Sequence, residues 1–173
     1  MAAIVIADAS PLIALARVQG LPWLRALFHE VLVTDTVLAE VLTGTFPENE
    51  APLQQAIREG WLKPVNGDAA SVEAVNLETE DPPLPDLDEG EAASIRLALR
   101  CEGPVLLLID ERAGRAVAQE LGLKVAGTAA VIGLARQRGL IRSAKLVFEE
   151  LHKSDFRIAP AVIQTVLERC GEL

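Results

Sequence analysis

Hydrophobic positions along the chain fall into two kinds of run. Short unbroken apolar stretches, AAIVIAD at 2–8, EVLVT at 30–34, PVLLLID at 104–110 and LKVAG at 123–127, have the length and β-branched content of buried strands. Between them lie longer segments whose apolar residues recur every three or four positions. SPLIALARV at 10–18 predicts a helix with Ser10 as N-cap and Pro11 at its first position. LPWLRALF at 21–28 and TVLAEVL at 36–42 predict two more, the latter capped by Thr34 and Asp35. ENEAPLQQAIREG reads as a further helix, with Pro52 limiting its start, and WLKPV at 61–65 as either a strand or an extended connection.

Asn66 to Asp88, ending in LETEDPPLPDLD, is rich in proline and acid and predicts a long surface loop. EGEAASIRLALRC at 89–101 is a strong helix stopped by Gly103 and Pro104. ERAGRAVAQELG follows the PVLLLID strand, and TAAVIGLARQRG opens with Thr128 as cap. SAKLVFEELHKS and APAVIQTVLERC add two amphipathic segments at the end. Continuous apolar strands alternating with helices predict a three-layer α/β/α sandwich around a central, mostly parallel sheet. No linker separates two cores, and no internal repeat is present.

Composition narrows the function classes. The 173 residues suffice for one core without staples. No apolar run reaches membrane-span length, and the N-terminus lacks a signal peptide's basic flank, so a cytoplasmic location is expected. Cys101 and Cys170 stand apart from each other and from any Cys/His cluster, which predicts free thiols and no zinc site. Twenty-five acids against sixteen bases give a formal charge of −9. That balance opposes non-specific nucleic-acid binding but suits a pocket of carboxylates around divalent cations.

The carboxylates carry the candidate chemistry. Asp8 and Asp110 each end a buried strand, the place where open α/β sheets bind ligands. Each alone is equally well a helix cap; together they favour a site. Glu40 lies at the border of its helix's apolar face, where a solvated role is the ordinary one. Glu91 shares a face with Ile95 and Ala98, so it points toward the core and needs a partner, a metal or the helix dipole. Two strand-end acids and two helix acids make an oxygen cage suited to Mg²⁺ or Mn²⁺ and to phosphoryl chemistry. His29 and His152 adjoin no serine or cysteine motif, and no phosphate-binding glycine loop is present.

IVIADASPLIALA, VTDTVLAEVL, LDEGEAASIRLAL and VLLLIDERAGRAVAQELGLKVAGTAAVIGLARQRGLI, in that order, resemble the PIN-domain family. The likeness is closest to its prokaryotic branch related to toxin–antitoxin ribonucleases. It covers Ile4 to about Ile141, which sets a PIN-like domain at 1–141 and a helical extension at 142–173 packed on the same domain. The extension is a candidate for dimer or protein contacts. The resemblance implies Mg²⁺- or Mn²⁺-dependent cleavage of RNA, with Asp8, Glu40, Glu91 and Asp110 as catalytic and metal-holding acids. It also implies a homodimer and an antitoxin protein as partner. Ser10 reads as an orienting neighbour of Asp8 or as the N-cap. Arg112 and Arg115 read equally as phosphate contacts or as partners of the acids. Glu111 is a solvated or capping residue before it is an extra ligand, and Arg136, Arg138, Arg142 and Lys145 form the only basic concentration. A competing class is a non-catalytic PIN-like scaffold that binds a protein. A phosphoacceptor enzyme fits less well, because Ala9 and Ser10 stand where a second acid would follow Asp8.

Overall fold

A computed structural model describes residues 2–66, 81–84 and 86–173. Most of the acidic, proline-rich loop expected over 66–88 lies outside the described residues. Five strands form one sheet: β1 (Ile4–Ala7), β2 (Val31–Thr34), β3 (Leu62–Val65), β4 (Val105–Leu108) and β5 (Lys124–Ala126). Every pairing is parallel and the order is β3-β2-β1-β4-β5. WLKPV, left open between strand and connection, therefore supplies an edge strand. Pro64 is tolerated there because an edge strand has one unpaired side.

Side chains alternate between two layers, as the period of a strand requires. Val5, Ala7, Val31, Val33 and Leu108 pack beneath helices α1 (Ala9–Arg17), α2 (Leu21–Phe28), α3 (Asp35–Val41) and α4 (Pro47–Arg58). Ile6, Leu32, Leu107 and Ile109 pack on the opposite face against α5 (Glu89–Arg100) and α6 (Arg112–Glu120). This is the α/β sandwich expected from the strand pattern.

A third cluster joins α7 (Thr128–Gln137), α8 (Ala144–Leu151) and α9 (Pro160–Cys170) to α1. Ala14, Ile132, Phe148, Leu151 and Leu167 bury one another there. The C-terminal turn is fastened by one carboxylate. Glu172 accepts hydrogen bonds from the Ala144 amide at 2.7 Å, the Lys145 amide at 3.1 Å, the Ser143 hydroxyl at 2.8 Å and Arg136 Nε at 3.0 Å. Cys101 and Cys170 are free thiols. Among the described residues no helix is long and apolar enough to cross a membrane.

Two expected helix starts move. Strand β1 passes into α1 with a single residue between them: Asp8, at φ −80° and ψ 173°, holds the N-cap position, and Ser10 lies inside the first turn. At α7 the N-cap is Gly127, and Thr128 is the first helical residue, its hydroxyl engaged elsewhere. In both cases the strand runs to the sheet's edge and the helix starts at once, one or two residues ahead of the side chain that looked like the cap.

Candidate functional site

Strand order dictates where a site can form. The chain lays β1, β2 and β3 outward to one side, then returns to place β4 on the other side of β1. The crevice at the carboxyl ends of β1 and β4 is the switch point where such sheets bind ligands. Ala7 pairs with Leu108 across it, and the Asp8 amide donates to Leu108 O at 2.9 Å. Asp8 and Asp110 thus leave neighbouring strands at the same end of the sheet.

Asp8 is 3% exposed. Its one side-chain hydrogen bond among the described residues is a long one, from Ser94 Oγ at 3.4 Å. Burial pushes its carboxyl from the usual 3.8 up to about 7; the Ala9 amide opposes the rise, and the charges of Asp88, Glu91 and Glu40 add to it. A buried carboxylate with so few donors favours its neutral form, since charge removed from water needs compensation.

Helix α5 brings Glu91 into the same crevice. Its first turn is a reciprocal capping box, the motif in which an N-cap acid and the residue three positions on satisfy each other's amides. Asp88 Oδ1 accepts from the Glu91 amide at 2.8 Å, and Glu91 Oε2 accepts from the Asp88 amide at 3.4 Å. The other oxygen, Glu91 Oε1, is buried and has no hydrogen-bond partner among the described residues. Burial, then the charge of Asp88, raises the Glu91 carboxyl above its ordinary value; the Asp88 amide opposes this, and Glu111 and Glu40 add to it.

Glu40 reaches this helix from α3. It is exposed, but its carboxylate lies over Gly90, where a β-carbon would stand 2.2 Å from Oε1. Burial and then Asp88 raise its pKa, against the Gly90 amide. The border position read from the helix pattern is correct, and the bare glycine opposite turns that border inward.

Asp110 differs from the other three. Thr128 holds both its oxygens, the amide donating to Oδ1 at 2.7 Å and the hydroxyl to Oδ2 at 2.6 Å. Burial raises its pKa, while Thr128 and the positive charge of Arg115 pull the other way. Arg115 itself donates to Ile109 O at 3.0 Å. Gly127 makes room for this group, because a β-carbon there would fall 2.8 Å from Asp110 Oδ1 and 3.1 Å from Arg115 Nη1. Ser10 is half-buried and makes no side-chain hydrogen bond among the described residues, and Arg112 is exposed at the start of α6.

Asp8, Glu40 and Glu91 are therefore within electrostatic reach of one another, and Asp110 stands at the adjoining strand end with its own partners. Among the described residues no three His, Cys, Asp or Glu side chains converge closely enough to hold a metal ion as they stand. The donor set nevertheless fits a hard divalent cation in kind: it is all oxygen, strongly negative, and includes a buried carboxylate oxygen without a partner.

Sequence reasoning missed Asp88, Ser94 and the true role of Thr128. Asp88 and Glu91 spell the D-x-x-E capping signature, so Asp88 was legible. Ser94 lies three residues after Glu91, on the same helical face. Nothing local marks Thr128 as a partner of Asp110, because only the pairing of β4 with β5 brings them together.

The family model DUF3368, described as a PIN domain, matches residues 4–172. That span runs through α8 and α9, past the last motif quoted above. No curated protein shows significant similarity to the chain.

Proposed function

The chain belongs to the PIN-domain family, whose members are generally nucleases, and on that premise we propose that it is a metal-dependent endoribonuclease that hydrolyses RNA phosphodiesters. The observation that carries this reading is the partnerless buried oxygen of Glu91 beside Asp8, whose carboxyl is raised to about 7, at the sheet's switch point. A protein gains nothing for its own stability from two such groups side by side, so a cation from outside is the natural complement.

Asp8, Glu91, Glu40 and Asp110 would hold Mg²⁺ or Mn²⁺. Such a cation, when bound, supplies positive charge against the phosphoryl oxygens and lowers the pKa of an attacking water. The chain's own residues set the stage for that. Thr128 fixes the plane of the Asp110 carboxylate through two short hydrogen bonds. Ser94 steadies Asp8. Ser10, Arg112 and Arg115 would contact the substrate phosphate, with Arg115 anchored to the Ile109 carbonyl. In the cell the protein would act as a homodimer, in the cytoplasm, as the toxin half of a pair restrained by an antitoxin protein.

The experiment is a cleavage assay on labelled RNA with Mn²⁺, with EDTA, and with Asp8→Asn or Asp110→Asn protein. Metal-dependent cleavage lost in both folded variants is expected. Cleavage that persists in a clean Asp8→Asn preparation removes Asp8 from the mechanism. The lack of three converging ligands among the described residues favours a second reading, a non-catalytic scaffold, which predicts no cleavage under any of these conditions.

A further inference from the structure

A cleft of about 710 Å³ begins at Asp110 and runs between α6, α7 and the segment from Phe156 through α9. We propose that this cleft receives the single-stranded RNA flanking the scissile phosphate, with Arg157 and Arg169 of the C-terminal segment gripping its backbone. This rests on the nuclease reading above and adds to it the path of the substrate.

Charge is the first argument. In a chain of formal charge −9, four arginines line one cleft: Arg112, Arg115, Arg157 and Arg169. None of them lies within ion-pairing distance of a carboxylate among the described residues. Of the eight arginines outside the cleft, Arg17, Arg25, Arg96, Arg100 and Arg136 do, while Arg58, Arg138 and Arg142 do not but are no part of this cleft's lining. Guanidinium forks suit phosphates better than any other side chain, and a protein this acidic needs a local basic track to hold a polyanion.

Helix α6 gives a second, independent argument. Directly after the N-cap Glu111 it carries Arg112 and Arg115 in its first turn, and Glu120 is its last residue. This concentrates positive charge at the end of the cleft next to Asp110.

The cleft's wall favours RNA over an acidic peptide. Ala129, Ile158, Val166 and the half-buried ring of Phe156 form apolar surface between the arginines. Cations and apolar surface in one cleft match a strand that presents a charged backbone and flat bases together. The recess also suits unstacked bases, the usual mode of reading single strands. The C-terminal helix is then one wall of the substrate path, which gives the segment beyond residue 141 a role in binding.

The test is fluorescence anisotropy on the full chain with a short 5′-labelled single-stranded RNA in EDTA, where cleavage cannot occur, repeated over a salt series. Arg157→Ala and Arg169→Ala should each weaken binding several-fold and flatten the log–log salt dependence by about 0.7. Arg138→Ala, outside the cleft, should change neither. Arg157 also donates to the carbonyls of His152 and Phe156, so its loss can disturb folding. Arg169, which makes no side-chain hydrogen bond among the described residues, then carries the test. Unchanged affinity and slope in folded Arg169→Ala, or no RNA binding by the wild type, overturns the proposal. An acidic peptide that displaces the RNA and binds more tightly in an Arg169-dependent way also overturns it and assigns the cleft to a protein partner. Cleavage with Mn²⁺ separates the two readings. Arginine-dependent binding without cleavage defeats the nuclease reading alone, and cleavage with unaltered KM in both arginine variants defeats the cleft alone.

Discussion

Two carboxylates in this protein sit against the starts of helices and meet opposite fates. Glu172, at the C-terminal turn, has four donors: two amides, a hydroxyl and a guanidinium. Burial alone would raise its pKa, but those donors outweigh it and hold the carboxyl down to about 2. Asp8, at the sheet's switch point, has among the described residues only a long hydrogen bond from Ser94 and the opposing Ala9 amide, and its carboxyl is raised to about 7. The chain can satisfy a carboxylate fully, and at Glu172 it does so. Leaving Asp8 and Glu91 Oε1 short of partners is thus a local property of the rim, and it is the property expected of a site completed by something other than protein.

The contrast breaks most visibly at Asp8. A carboxyl moved from 3.8 to about 7 corresponds to on the order of 4 kcal/mol of lost stability once it is fully ionised. The sign follows from the raised value: the group stabilises the fold while protonated, below its unfolded pKa near 4. That contribution is lost as pH climbs through about 7. Metal-free Asp8→Asn should therefore melt well above wild type at about pH 8 and near it at about pH 4. Equal melting temperatures at both values would mean that Asp8 is not strained.

Glu172→Ala should act in the other direction. Losing hydrogen bonds to a charged acceptor costs about 1–3 kcal/mol, enough to lower the melting temperature by several degrees. Because this carboxyl is depressed, its contribution is present above the unfolded pKa near 4.5 and lost as pH falls toward about 2. The gap between wild type and variant should accordingly narrow in acid, where Asp8 has ceased to matter. A gap that widened instead would contradict the assignment of Glu172 as an ionised latch.

Gly90→Ala is the smallest of these changes in stability and the most selective. A new methyl would meet the end of an exposed, flexible side chain, Glu40, at 2.2 Å from its oxygen. The side chain can swing away, and alanine is favoured over glycine in a helix by about 1 kcal/mol. Stability should hold or rise slightly while cleavage falls, as measured by melting and by RNA turnover on one preparation. Undiminished cleavage would show that Glu40 need not reach α5.

Much of this was legible in the linear pattern. The runs at 4–7 and 105–108 are strands because buried parallel strands are continuous in hydrophobicity, and their ends mark the rim at which Asp8 and Asp110 lie. Glu91 was legible as an inward acid from its spacing to Ile95 and Ala98. The sequence misled at Ser10 and Thr128, both good capping residues preceded by another residue able to start the helix. It was silent on Glu172, whose four donors lie 27 to 36 residues away along the chain, and on the cleft at Asp110. Contacts of that kind depend on how helices dock, which no local pattern encodes.

The central claim is that the rim acids are completed by a divalent cation, and the most direct measurement is a thermal melt at neutral pH. Wild type and Asp8→Asn would each be heated in EDTA and in millimolar Mn²⁺. A ligand that binds only the folded state raises the melting temperature, so Mn²⁺ should stabilise wild type and leave Asp8→Asn unmoved. No shift in wild type, or the same shift in both proteins, would contradict the account.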